Sequence, residues 1–180
     1  TGAQVTVYDR VVNEPTIATH EEALAAAQAA SPDTLIGIGG GSALDTSKLL
    51  SALLDGSQDV RDVFGIGKVR GRSARLVCLP TTSGTGSEVS PNAILLDVAE
   101  NLKKGIVSPY LVPDAAYVDP SLTRSVPPAV TAATGMDALT HCVESYVNRF
   151  AHPMIDLYAL EGIRLAGRYL ERAVAHGDDM

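Results

Sequence analysis

Three consecutive glycines separate an apolar run from a helix-like segment in the stretch IGIGGGSALDTSK. A glycine turn between a strand and a helix N-terminus directs several backbone N–H groups and the positive helix end to one point. Gly39, Gly40 and Gly41 are therefore a candidate pyrophosphate cradle. Their spacing matches neither G-x-G-x-x-G nor the Walker A motif. A tight turn capped by Ser42, with Asp45 as its capping-box acid, explains the same residues.

A second glycine-rich loop, PTTSGTGSE, follows another apolar run, ARLVCLPTT. Loops at the carboxyl ends of parallel strands converge on one crevice in an open α/β sheet. The hydroxyl groups of Thr81, Thr82, Thr85 and Ser87 suit ribose or phosphate oxygens, although Ser and Thr beside Gly are also ordinary loop residues. Two such loops together favour a dinucleotide site.

Asp137 and His141 lie four residues apart in TGMDALTHCVE. On a helix this spacing places a carboxylate and an imidazole on one face, where both can ligate the same divalent ion. Two ligands do not complete a metal site. Asp137, three residues after Thr134, is alternatively a helix cap, and His141 is alternatively a packed or surface histidine.

The elements that must position these residues alternate along the chain. AQVTVYD reads as a short strand, and THEEALAAAQAA as a helix opened by Thr19 with Glu22 at capping-box spacing. DTLIGIG is a continuous apolar strand of the type buried on both faces of a parallel sheet. Ser42 opens the helix SALDTSKLLSALL, which Gly56 ends. With ARLVCLPTT and AAYVD as further strands, the order indicates an open α/β sheet.

The pattern changes after Asp119, where the strands disappear. GMDALTHCVESYVNRF and PMIDLYALEGIRLAGRYLERAVAHG are predicted helices. The second helix carries a stripe that we expect to be buried, formed by Ile155, Tyr158, Gly162, Ala166, Leu170 and Ala173. We place a domain boundary near Pro120, with an α/β domain over residues 1–120 and the start of an all-helical domain over residues 121–180.

Composition narrows the function further. An apolar content of 46% with 19% charged residues indicates a chain with a core, not a disordered one. Fourteen basic against 21 acidic residues give a net charge of −7, which argues against a nucleic-acid partner. We therefore expect the binding partner to be a small molecule. There is no apolar stretch long enough to span a bilayer. Two cysteines without metal or disulfide spacing suit a reducing compartment, so we expect a cytoplasmic protein.

Four motifs in order, GIGGGSALDTSK, PTTSGTGSEVSPNAIL, PDAAYVDPSLTRSVPP and ATGMDALTHCVESYV, resemble the iron-containing (group III) alcohol dehydrogenases over nearly the whole chain. The resemblance implies a Rossmann-like, open parallel-sheet dinucleotide-binding domain followed by an all-helical metal domain. It also implies a longer enzyme, with sequence missing at both ends of the 180 residues, and we expect the 180 residues alone to be inactive.

Specific positions follow from the same resemblance. Those placed at the cofactor are Gly40, Gly41 and Ser42 at the pyrophosphate, Asp45, Lys48, Thr81, Thr82 and Thr85 along the cleft, and Asn92 and Lys103 near the ribose and nicotinamide. Asp137 and His141 resemble the first two metal ligands, and the family's other two ligands are histidines further along its chains. His152 and His176 match no ligand motif. The resemblance gives no catalytic residue beyond the metal ligands.

The implied activity is hydride transfer between NAD or NADP and a small alcohol or aldehyde held by Fe²⁺ or Zn²⁺, in a homodimer. The alternatives are a glycerol-dehydrogenase-like or maleylacetate-reductase-like relative, or a cofactor-binding fragment without catalysis. Glu14 stands in NEPT where the family usually has Asn, and a carboxylate facing the cofactor disfavours the extra phosphate of NADP. NAD is therefore weakly favoured. The sequence does not specify the substrate.

Overall fold

The computed structural model describes residues 2–179, which divide into two compact units. The α/β unit contains the described residues up to Pro80 together with Ser87–Val118, and the helical unit contains Thr81–Gly86 and the described residues from Asp119 onward. The helices are α1 (Ile17–Ala30), α2 (Gly41–Leu53), α3 (Pro128–Val147) and α4 (Pro153–Ala175). The strands are β1 (Thr34–Gly39), β2 (Gly65–Ile66), β3 (Arg75–Pro80), β4 (Asn92–Asp97), β5 (Leu102–Val107) and β6 (Ala115–Ala116).

A parallel three-stranded sheet in the order β1, β3, β6 positions the glycine turn. Leu44 of α2 packs with Leu76 and Cys78 of β3 in a buried cluster on one face of this sheet. On β1, however, Ile36 and Ile38 are 62% and 60% exposed. The prediction of a strand buried on both faces is therefore wrong for β1, which is covered on one face only in the described structure. The last strand has two residues, shorter than the predicted AAYVD.

A second sheet, in the order β2, β5, β4, contains an antiparallel hairpin that the sequence analysis missed. Its strands β4 and β5 pair from Asn92 opposite Val107 to Asp97 opposite Leu102. Ala93, Leu95 and Ile106 are fully buried and join residues of α2 in the larger core cluster. Alternation of buried Ala93 and Leu95 with exposed residues was the available signal.

The N-terminal region differs from its prediction in two respects. Helix α1 begins at Ile17 because Thr16 is its N-cap, and Thr16 and Thr19 form the reciprocal capping box. The prediction that Thr19 is the N-cap, with Glu22 as its capping-box partner, is therefore wrong. The strand predicted at AQVTVYD is also wrong, because no described residue pairs with this segment and its Val5 and Val7 are 78% and 80% exposed. A strand without a neighbour leaves its ladder unpaired.

The helical unit is built on the packing of α3 against α4. Helix α3 begins seven residues before the predicted start, at Pro128, whose fixed φ suits the first helical position. On α4 the predicted stripe is correct in its middle, where Gly162, Ala166 and Leu170 are partly buried. Its ends are wrong, since Ile155, Tyr158 and Ala173 are exposed and Ala159 is the buried residue. No helix within residues 2–179 has the length and apolar content needed to cross a membrane.

Candidate functional site

The glycine turn connects β1 directly to α2. Gly39 has φ 153°, and a Cβ at this position would lie 2.6 Å from the Cβ of Ala43, so backbone conformation and space both require glycine. Gly40 is the N-cap, and its carbonyl oxygen accepts hydrogen bonds from the N–H groups of Ala43 and Leu44 at 3.0 and 3.1 Å. The first amides of a 13-residue helix are thus presented beside residues without bulky side chains, which suits an anionic group.

The structure overturns the alternative explanation of this turn. Ser42 lies inside the helix, not at its N-cap. Asp45 does not serve as a capping-box acid, since its carboxylate accepts hydrogen bonds from the hydroxyl of Ser87 and the backbone N–H of Ile94. These contacts connect α2 to the end of the second glycine-rich loop and to β4. The turn is consequently held without a side-chain N-cap from Ser42.

Lys48 lies one turn after Asp45 and is fully buried. Its Nζ donates to the Ser90 hydroxyl at 3.1 Å and to the Asn92 carbonyl oxygen at 2.7 Å, and it lies 3.7 Å from Asp45 Oδ1. Burial raises the pKa of Asp45 and lowers the pKa of Lys48, and the attraction between the two charges opposes both changes. The cofactor-cleft role predicted for both residues stays a prediction. The Ser90 contact was not foreseen.

Two other residues that the resemblance places at the cofactor lie on the hairpin. Asn92 begins β4 with its side chain exposed, and Lys103 lies on β5. The Nζ of Lys103 forms an ion pair with Glu14 Oε1 at 2.5 Å. Glu14 adopts a left-handed backbone conformation with φ 55°, a region where Asn is enriched and Glu is not. The NEPT departure therefore brings an acidic side chain to Lys103.

The central part of the second glycine-rich loop, Thr81–Gly86, belongs to the helical unit. Thr81 and Thr82 are half-buried and Thr85 is exposed. A Cβ on Gly84 would lie 2.8 Å from the Cβ and 2.9 Å from the carbonyl oxygen of Thr134, so this glycine permits the loop to contact α3 closely. Convergence of this loop with the glycine turn stays a prediction, and so do the threonine contacts.

Asp137 and His141 lie on α3 with His141 Nε2 3.6 Å from Asp137 Oδ1. Their side chains are 43% and 54% exposed. Thr134 lies within the helix, so the cap explanation of Asp137 is wrong. Within residues 2–179 there is no cluster of three or more His, Cys, Asp or Glu that could hold a metal ion. The pair fits a divalent ion in donor chemistry, and a complete coordination sphere needs further ligands.

Comparison with known protein families shows which family this chain belongs to. Residues 1–120 match the family model described as iron-containing alcohol dehydrogenase. The chain belongs to this family. Residues 131–180 match the model for the C-terminal part of the Fe-containing alcohol dehydrogenase family. The motif-based resemblance is thereby confirmed.

Individual members of the family share sequence and fold with this chain. Long-chain-alcohol dehydrogenase 1 of Geobacillus thermodenitrificans is 48% identical over 181 residues, covering 99% of this chain and 45% of that protein. The structure of an alcohol dehydrogenase from Oenococcus oeni has a TM-score of 0.94 at 33% identity, covering 99% of this chain and 46% of that one. Sulfoacetaldehyde reductase from Bifidobacterium kashiwanohense, solved in complex with NAD⁺, has a TM-score of 0.90 at 34% identity over 95% of this chain and 46% of that one.

These alignments confirm the predicted fold class, a Rossmann-like α/β region followed by helices. They also show that the chain spans about half the length of the relatives it matches. The predicted boundary at residue 120 and the assigned cofactor and metal positions stay predictions.

Proposed function

We propose that the complete protein carrying this chain is an NAD-dependent alcohol dehydrogenase and aldehyde reductase that uses a divalent metal, iron in preference to zinc. The observation that carries the proposal is the Asp137–His141 pair, which presents a carboxylate and an imidazole side by side on α3. Its substrate class is a small alcohol or aldehyde. We further propose that the protein acts in the cytoplasm as a homodimer.

The proposed chemistry divides between the two units. A bound divalent ion supplies Lewis-acid polarisation of the substrate oxygen. Asp137 and His141 contribute two of its ligands. The glycine turn of the α/β unit binds the pyrophosphate of NAD at the N-terminus of α2, so that the dinucleotide is held by backbone amides and not by a flexible cation.

The metal assignment is tested in the full-length protein with His141→Ala. Loss of the imidazole removes one of two ligands that this chain contributes, so we expect bound iron, measured by plasma mass spectrometry, and alcohol oxidation to fall by at least about tenfold. His152→Ala is the matched control, because His152 is also an exposed histidine of the helical unit, at the N-cap of α4. Full metal content and activity in His141→Ala refute the assignment.

The preference for NAD has support in the Glu14–Lys103 ion pair. The carboxylate of Glu14 repels a nearby 2′-phosphate, and this repulsion opposes the binding of NADP. We expect Glu14→Gln to lower the KM for NADPH by about threefold to tenfold and to change the KM for NADH less. Glu22→Gln is the control, since Glu22 is also an exposed acid paired with a basic side chain, Arg10. An unchanged ratio of the two KM values contradicts the role of Glu14.

A further inference from the structure

One turn of α3, at Thr134 and Gly135, is packed closely on two sides. On one side is the second glycine-rich loop, where a Cβ on Gly84 would lie 2.8 Å from the Cβ and 3.1 Å from the Cα of Thr134. On the other side is α4, where a Cβ on Gly135 would lie 2.2 Å from Cδ1 of Leu170. Non-bonded carbon atoms prefer separations of about 3.5 to 4.0 Å. Neither glycine therefore has room for a side chain, and this turn is held between the loop and α4.

The contact with the loop involves atoms of Thr134 that cannot move aside. Its hydroxyl donates to the carbonyl oxygen of Val130 in its own helix at 2.9 Å. What faces Gly84 is the Cβ, the Cα and the carbonyl oxygen, which a Cβ on Gly84 would approach to 2.9 Å. Helical backbone does not rotate away as the end of a long side chain does. Because packed interiors transmit small displacements, added bulk at Gly84 must move the loop relative to α3.

Thr134 lies on the same face of α3 as the two residues proposed as metal ligands. Asp137 follows it by three residues and His141 by seven, and both spacings return to one helix face. Along the helix axis the two residues lie about 4.5 Å and about 10.5 Å beyond Thr134. The loop that contacts Thr134 therefore lies beside this metal pair. The threonines expected at the cofactor adjoin Gly84 in the same loop.

We propose that the contact of Gly84 with Thr134, supported by the packing of Gly135 on α4, sets the distance between the cofactor beside the loop and the ion at the metal pair. Gly84 and Thr134 are thus positioning residues that act on the rate of hydride transfer and not on the affinity for the dinucleotide. This inference rests on the proposed function, because it concerns the cofactor and the ion of that function. Reacting atoms must approach to about 3 to 3.5 Å, and a misplacement of about 1 Å costs about 100-fold in rate.

Gly84→Ala in the full-length, metal-loaded protein tests the proposal. Gly84 is not among the residues with a left-handed backbone, so alanine fits its conformation and the substitution acts through the contact. We expect the kcat for alcohol oxidation to fall by about tenfold or more, because the loop moves away from α3. The Kd for NADH, measured by isothermal titration calorimetry, and the amount of bound iron should change by less than about threefold, since the glycine turn and the metal pair are intact.

The distance itself is measured by NMR with Mn²⁺ in place of iron. A paramagnetic ion speeds the relaxation of the nicotinamide C4 proton of bound NAD⁺ with the inverse sixth power of their distance, and this readout does not depend on turnover. We expect the relaxation rate to be lower in Gly84→Ala by about twofold or more, as a small displacement suffices. Gly167→Ala is the matched control, because a Cβ on this glycine of the helical unit would meet no atom within 4 Å. It should keep the wild-type relaxation rate and kcat.

A second substitution tests the part played by Thr134. Thr134→Gly removes the Cβ that the new alanine would meet, so we expect Gly84→Ala/Thr134→Gly to regain about threefold in kcat over Gly84→Ala. Thr134→Ala keeps this Cβ, and Gly84→Ala/Thr134→Ala should regain nothing. Absence of any gain in the first double variant assigns the effect to another contact of the loop and overturns the role of Thr134.

The other outcomes are distinct. A wild-type relaxation rate in Gly84→Ala overturns the inference, whether or not kcat falls, because this contact then does not set the distance. Parallel losses of NADH affinity and bound iron also overturn it, since they indicate general damage. If Gly84→Ala does not fold, Thr134→Gly alone decides, because it opens the same contact from α3 and should change the relaxation rate by about twofold. Failure of the wild-type protein to bind NADH, or to show paramagnetic relaxation, refutes the proposed function instead.

Discussion

His20 is the residue whose ionisation most clearly couples pH to stability. It is fully buried in α1, and neither ring nitrogen has a hydrogen-bond partner among residues 2–179. Burial lowers the pKa of His20 from 6.5 to about 4, and the nearby carboxylates of Glu21 and Asp59 oppose the shift only in part. Between these two values the unfolded chain binds a proton that the folded chain excludes, so stability falls as pH decreases from about 6.5 to about 4.

His20→Leu removes this linkage. We expect the wild-type protein to lose about 2 to 3 kcal/mol more unfolding free energy than the variant between pH 7 and pH 4.5. Urea denaturation at the two pH values measures the difference. Carboxylates titrate in both proteins and cancel in the comparison. Parallel losses in the two proteins would mean that folding does not lower the pKa of His20.

At the residue scale the sequence predicted side chains that are close together on one helix, but it did not predict contacts between residues distant in sequence. The spacing of Asp137 and His141 placed both on one helix face, as the structure shows, because helical periodicity is local. The ion pair of Glu14 with Lys103 and the bonds of Lys48 to Ser90 and Asn92 were not predictable in this way. They join positions about 40 to 90 residues apart, and only the packing of strands and helices brings such positions together.

At the element scale, close packing of α3 and α4 depends on glycine. A Cβ on Gly162 would lie 2.5 Å from the Sγ of Cys142, whereas a Cβ on Gly167 of the same helix would meet no atom within 4 Å. Alanine has a higher helix propensity than glycine by about 1 kcal/mol. We therefore expect Gly167→Ala to stabilise the protein and Gly162→Ala to destabilise it by about 1 to 3 kcal/mol.

Thermal or urea unfolding of the two variants tests this contrast. Both substitutions gain the same intrinsic helix propensity, so a difference between them reports the interhelical contact. Equal stabilisation by the two alanines would show that Cys142 moves aside without cost and that Gly162 is not required for packing.

The success of element prediction followed the strength of the local signal. Strands β1 and β3 and helix α2 were located within two residues, because continuous apolar runs and a glycine turn mark them. Helix α1 was found with the wrong cap, since two threonines three residues apart offer alternative capping boxes. The β4–β5 hairpin was missed because its turn, residues 98–101, lacks the Asn-Gly or Asp-Gly signal and uses Asn101 with φ 50°.

At the scale of the whole molecule, metal binding should appear as stability. An ion that binds only the folded state raises its stability by about 2.7 kcal/mol at a free concentration one hundred times the Kd. We expect chelator-treated full-length protein to show a higher melting temperature after addition of Fe²⁺ under anaerobic conditions. The His141→Ala variant should show little or no increase, because one of the two ligands on α3 is absent.

The control for this measurement is His176→Ala, which changes an exposed histidine just beyond the end of α4. It should keep the full increase in melting temperature. An equal increase in His141→Ala would place the ion elsewhere, because stabilisation by mass action requires the ligands that bind it. If Fe²⁺ raises the melting temperature of His176→Ala but not that of His141→Ala, the ion binds at the i, i+4 pair on α3, and this binding stabilises the whole protein.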